Sequence, residues 1–175
     1  RLDNPAWHIH AGALPTPESS FGFGLLLNLA SVCNTEDKAV LWGFISRYDA
    51  GMAPETAPIL DRLIGHAIAY YRDQVKPAKT YRAATKGEYD ALAELAEALR
   101  ALPDDADAET IQTEVYEVGK RHPFDSLRDW FRALYETLLG QSTGPRMGSF
   151  IALYGIEETR ELVGRVLGGE DLGAA

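Results

Sequence analysis

Apolar residues recur at three- and four-residue spacing along most of the chain, the signature of amphipathic helices. From Phe21 to Val32 the positions Leu25, Leu26, Leu29 and Val32 share one helical face, entered at Ser19 or Ser20. Asn34-Thr35-Glu36-Asp37 reads as a boundary, with Asn34 or Thr35 capping a second helix. That helix carries Val40, Leu41, Phe44, Ile45 and Tyr48 and ends near Gly51. Pro54 suits the first turn of a third helix. Leu60, Leu63, Ile64, Ala67, Ile68 and Tyr71 form its stripe from Thr56 to about Val75, and Pro77 stops it. Glu88 to Leu102 repeats Leu92, Leu95, Ala96 and Leu99 before Pro103-Asp104-Asp105. Ala108 to Gly119 sets Ile111, Val115 and Val118 on one face, with Gly119 as the C-cap. Pro123 opens a helix through Leu127, Trp130, Phe131, Leu134 and Leu138 to Gly140. After a loop from Gln141 to Gly148, a short turn Phe150–Tyr154 leads to a last helix from Glu157 through Leu162, Val163, Val166 and Leu167.

Residues 1–20 hold Pro5, Gly12, Pro15 and Pro17, too much punctuation for a regular element, and read as an extended arm. No segment alternates with period two for more than a few residues. The fold class predicted is all-α: two consecutive helical subdomains, residues 21–80 and 81–175, joined near residues 77–86.

Composition narrows the class. With 46% apolar and 25% charged residues over 175 positions, the chain has the make-up of a globular protein with a sizeable core. No apolar run approaches the ~20 residues that cross a bilayer, so no membrane role and a cytoplasmic location are expected. One cysteine, Cys33, excludes a disulfide framework and fits a reducing compartment. The start at Arg1, without methionine or signal pattern, reads as a piece of something longer. A net charge of −9 argues at first sight against nucleic acid. Its distribution weakens that objection: residues 1–82 carry eight basic and eight acidic side chains, residues 83–175 nine against eighteen. Within the neutral half Arg72, Lys76, Lys79 and Arg82 cluster, with Asp73 alone to offset them nearby.

Catalytic patterns are missing from the sequence. His8 and His10 share a face of the arm, but His66 and His122 are isolated and Cys33 has no partner, so no metal site is predicted. The blander role for Trp7, His8 and His10 is to pin the arm onto the first helices. Gly119-Lys120 lacks a phosphate-binding glycine loop, no GxGxxG occurs, and Ser142 and Ser149 have no evident base nearby in sequence. The chain alone is expected to be non-catalytic and to need no cofactor. What remains is a binding inventory. Trp130, Phe131 and Leu134 fall on a core stripe, whereas Arg132 and Tyr135 lie off it. Gly144-Pro145-Arg146 follows as a flexible loop. Rings that stack bases beside arginines that meet phosphates suit a single-stranded RNA surface, and these residues alone do not favour RNA over a protein partner. A helical protein–protein interaction or scaffold domain without RNA binding is the alternative, and a histidine-based metalloenzyme a third.

Seven strings, in order, resemble the carboxy-terminal part of class I lysyl-tRNA synthetase. They are Asn4 to His10, Leu25 to Ser31, Asp37 to Ile45, Val75-Lys76-Pro77, Ile111-Gln112 with Val115 to Val118, Leu138 to Gln141, and Gly144-Pro145-Arg146 with Gly148 to Ile156. The last segment is also similar to the end of glutamyl-tRNA synthetases, in the places of Leu138-Leu139-Gly140 and Ala152 to Gly155. Those relatives usually carry an arginine five residues before the turn glycine; here Tyr135 stands there, which puts that arginine's role in doubt. The resemblance implies an anticodon-binding cage of helices, joined to an upstream catalytic domain that uses ATP and Mg²⁺ to esterify lysine to its tRNA. The implied partner is a lysine tRNA with a uridine-rich anticodon. Its bases would stack on Tyr135 and be read by Gln141 and loop backbone, while Arg132, Arg146, Lys76, Lys79 and Arg82 meet phosphates.

Overall fold

The computed structural model describes residues 21–174. The expected arm over residues 1–20, with Trp7, His8 and His10, lies outside them. Among the described residues there are eight α-helices and no strand, as the apolar periodicity predicts. They are α1 (Phe23–Cys33), α2 (Lys38–Tyr48), α3 (Pro58–Tyr70), α4 (Lys86–Arg100), α5 (Ala108–Arg121), α6 (Leu127–Leu134), α7 (Met147–Tyr154) and α8 (Ile156–Leu167). Two of them end in a widened turn. α3 runs into a π turn over Tyr71–Val75 and a 3-10 turn over Lys76–Ala78; α6 runs into a π turn over Tyr135–Leu139. No described helix is long and apolar enough to cross a membrane.

The helix ends differ from the sequence reading in instructive ways. Asn34 does not cap α2; it closes α1 in the left-handed region at φ 48°, its N–H reaching the carbonyls of Ala30 and Ser31. Asp37 caps α2 instead, its carboxylate accepting from Ala39 N at 2.9 Å. A full negative charge next to the first turn also meets the positive end of the helix dipole. Pro58, not Pro54, occupies the first turn of α3. The preceding residues fold on themselves: Thr56 Oγ1 accepts from Ala53 N at 3.0 Å and donates to the Gly51 carbonyl at 3.1 Å. A capping box of Thr85 and Glu88 starts α4 two residues before Glu88. α5 passes straight through Gly119 to Arg121, so this glycine is no C-cap. Its missing side chain makes room for Trp130, whose indole ring lies against it. α6 begins after Ser126 rather than at Pro123.

Two apolar clusters fill the interior. One gathers Leu26, Leu29, Leu41, Ile45, Leu60, Ile64 and Tyr71 from α1–α3 and the first π turn. The other gathers Leu92, Leu95, Leu99, Ile111, Val115, Trp130, Leu134 and Val163 from α4–α6 and α8. Trp130 is fully buried and donates its indole N–H to the Val115 carbonyl at 3.0 Å, while Phe131, half-buried, packs edge-on against Tyr116. Helix α7 belongs to both clusters: Met147, Phe150 and Ile151 enter the second and Leu153 the first.

The entry of α7 depends on Gly148. Its N–H donates to Gln112 Oε1 at 2.7 Å, and a Cβ there would collide with the backbone carbonyl of Ala108. Overpacked buried sites cost about 1–3 kcal/mol, more when the obstacle is backbone. Gly148→Ala is expected to lower the unfolding free energy in urea by about 3 kcal/mol; an unchanged midpoint would show that α5 and α7 are not in backbone contact.

Candidate functional site

The chain between α3 and α4 is laid along the end of α6. Thr80 N donates to the Gly140 carbonyl at 3.0 Å, and Arg82 N to the Glu136 carbonyl at 3.4 Å. Tyr81 packs on Gly140, where φ is 67° and a Cβ would sit 2.9 Å from the ring. Only glycine meets both demands without strain. A cleft of about 580 Å³ opens here, lined by Gln74 and Val75 from the first π turn, by Lys79 and Arg82, and by Glu136 and Gln141 around the second π turn. Single π turns inside α-helices recur at functional sites.

Three of the predicted binding residues, Lys79, Arg82 and Gln141, therefore line one cleft. Their environments differ. Arg82 is clamped by two carboxylates: its Nε lies 2.5 Å from Glu136 Oε2, and its Nη1 and Nη2 lie 2.7 and 3.0 Å from the two oxygens of Glu88. Gln141 donates to Asn28 Oδ1 at 3.1 Å, and Asn28 in turn donates to the Gly24 carbonyl at 2.7 Å. Lys79 donates to the Ser31 carbonyl at 2.9 Å and sits 5.6 and 5.4 Å from the ring centres of Tyr71 and Tyr81. It has no carboxylate in ion-pair range among the described residues. Burial, helped by neighbouring Lys76, pulls its pKa below the ordinary lysine value.

The remaining candidates lie outside this cleft. Lys76 pairs with Glu36 at 3.4 Å. Tyr135 begins the second π turn, but its hydroxyl donates to the Pro145 carbonyl at 2.7 Å and its ring lies under Gly144. Burial pushes its pKa up. Arg146, at the far end of that loop, pairs with Glu109 at 2.7 Å. Arg132 is exposed and makes no ion pair among the described residues. The basic cluster is thus less bare than its neighbours in sequence indicate: Asp73 takes Arg72, while Glu36, Glu88 and Glu136 come from outside the segment or its far end. Gln74, Glu136 and Asn28 were not singled out in the sequence, because the π turns that gather them leave no mark on apolar spacing.

No group of three or more His, Cys, Asp or Glu side chains among the described residues could hold a metal ion. The Cys33 thiol is pushed up to about 11 by burial, which keeps it protonated and unreactive at neutral pH. The cleft is lined by polar and basic groups and by one carboxylate, Glu136, which Arg82 holds.

Arg82 gives a pH signature. Its guanidinium, and secondarily the Thr85 backbone N–H, hold the Glu88 carboxyl below the ordinary glutamate value, against an opposing effect of burial. A depressed carboxylate stabilises the fold fully above about pH 4.3, its unfolded value, and loses that contribution as pH falls through the folded value. Arg82→Met is expected to flatten the stability profile below about pH 4.3 and to cost about 1 kcal/mol at pH 7; thermal melts from pH 3 to 7 check both, and a profile parallel to the unaltered chain refutes the coupling.

Neither a family model nor a solved structure matches the chain. Curated relatives do. Over 170 residues, 97% of this chain, it is 51% identical to the lysine–tRNA ligase of Roseobacter denitrificans, of which the match covers 32%. The lysine–tRNA ligase of Rickettsia bellii is 48% identical over 165 residues, 93% of this chain and 31% of the relative, and that of Rickettsia felis matches to the same extent. The chain thus spans about a third of the length of the curated relatives it matches, and it is homologous to that third of proteins named lysine–tRNA ligase.

Proposed function

We propose that this chain is the tRNA-recognising part of a class I lysine–tRNA ligase, a helical cage for the anticodon. The observation that carries the reading is the 51% identity to a lysine–tRNA ligase along 97% of the chain. In this reading residues 21–80 and 81–175 are its two subdomains. Lysine activation, ATP and Mg²⁺ belong to the part of the enzyme that this chain does not include.

The physical mechanism uses the donors around the second π turn. Splayed anticodon bases offer flat faces and polar edges once unstacked from one another. Uracil presents two carbonyl acceptors flanking one N–H, which the Gln141 side chain and the loop backbone at Ser142 and Thr143 can match. Lys79 and exposed Arg132 are ready for phosphates. Arg82 and Arg146 must exchange a carboxylate for a phosphate, and the Gly144-Pro145 turn must lift before a base can stack on Tyr135. Charge-assisted bonds to phosphate are strong enough for such exchanges.

An anticodon stem-loop of lysine tRNA with a central uridine is expected to bind. Replacing that uridine by cytidine weakens binding by roughly tenfold, and Arg132→Ala and Arg146→Ala each weaken both loops to a similar degree. With about three phosphate contacts, the log–log salt slope lies near −2. Equal binding of both loops, or none, overturns specific reading by this chain. Salt-insensitive self-association without RNA affinity would instead support the helical scaffold alternative.

A further inference from the structure

Leu25, Leu26, Leu27 and Leu29 make α1 an apolar helix, yet Asn28 among them is only 4% exposed. A buried amide is tolerated where each of its ends finds a partner. Asn28 finds both. Its Nδ2 donates to the Gly24 carbonyl at 2.7 Å, and its Oδ1 accepts from Gln141 Nε2 at 3.1 Å, across 113 residues of sequence.

The first of these bonds dictates the second. A carbonyl only accepts, so Gly24 draws the NH₂ of Asn28 toward itself and leaves the oxygen for Gln141. Gln141 must then turn its own NH₂ toward Asn28, which sends Oε1 the other way. Rotating that amide by half a turn would set Oε1 against Asn28 Oδ1, two acceptors with no proton between them. The main chain is held as well: Gln141 N is tied to the Tyr135 carbonyl at 3.2 Å, directly after Gly140 in the left-handed region. Gln141 Oε1 accepts no hydrogen bond among the described residues. The sealed side-chain atoms without a partner there are Ser31 Oγ and Arg160 Nε, so Oε1 is open to solvent, on a residue that lines the cleft.

An amide locked in this way reads from one side only: its open atom accepts and does not donate. Uracil meets that oxygen with its ring N–H. The two uracil carbonyls are left for the backbone N–H groups of Ser142 and Thr143, which make no backbone hydrogen bond among the described residues. Cytosine carries a lone pair where uracil carries that hydrogen, so an accepting oxygen opposes it. A freed amide would turn over and serve cytosine equally, its NH₂ meeting the lone pair.

We infer, on the reading that this chain recognises an anticodon, that Asn28 is the positioning residue for base choice: it orients Gln141 so that the cleft takes uracil and turns cytosine away.

Binding of lysine anticodon stem-loops with central uridine or cytidine to the full 175-residue chain is the test. In Asn28→Ala the roughly tenfold preference for uridine is expected to shrink to about twofold or less, with the uridine loop held within about threefold of its original affinity. Asn28→Asp keeps an oxygen toward Gln141 and retains the preference. In a Gln141→Ala background Asn28→Ala has no further effect on the ratio. A purely structural Asn28 would weaken both loops in parallel, so a preference that survives Asn28→Ala overturns the inference and leaves the proposed function standing. Failure of the unaltered chain to bind, or to tell the loops apart, overturns both together. Nuclear magnetic resonance of the Gln141 side-chain amide reads its orientation with neither variant nor RNA. One slowly exchanging N–H is expected; two protons exchanging alike show an amide that is not held, and overturn the inference even where Asn28→Ala fails to fold.

Discussion

The close approach of α7 to α5 is the constraint on which the remainder of the structure depends. Gly148 lets the α7 backbone rest against Ala108, and eight residues of helix then deliver Met147, Phe150 and Ile151 to one apolar cluster and Leu153 to the other. Arg47 of α2 adds a polar tie on the same side, reaching the Tyr154 carbonyl at 2.6 Å and the Glu158 carboxylate. With both clusters keyed to one short helix, α1 and the end of α6 are held where Asn28 can meet Gln141. The cleft beside Lys79 and Gln141 is a result of that juxtaposition.

Much of this was legible in the spacing of apolar residues. Leu92, Leu95 and Leu99, or Ile111, Val115 and Val118, announce both a helix and its buried face, and all six are fully buried. Where spacing is silent, the reading was less accurate. Capping is decided by which of several adjacent polar side chains reaches the first free N–H, so Asp37 rather than Asn34 or Thr35 starts α2. Gly119 looked like a stop because a glycine beyond a periodic stripe usually is one; here Trp130 needs its empty flank. The π turns at Tyr71–Val75 and Tyr135–Leu139 insert no residue that pattern alone can detect.

The site was legible only in its inventory. Lys79, Arg82 and Gln141 do come together, but the carboxylates that hold Arg82 lie six and fifty-four residues away, beyond what local charge counting sees. The outcome is a surface on which arginines are already engaged: Arg82 with Glu88 and Glu136, Arg146 with Glu109. A weakly charged visitor has little with which to displace those oxygens. A backbone phosphate, with a full charge shared by two non-bridging oxygens, can meet the same guanidinium fork that a carboxylate does.

Lys79 lines the cleft that holds Gln141 and also a second cavity of about 280 Å³ beside Ser31 and Tyr81. One charged residue stands in both linings. Charge brought into either chamber dims the positive potential felt in the other, and reciprocity requires the penalty to be identical whichever fills first. Two anionic occupants would therefore share one cation rather than bind independently.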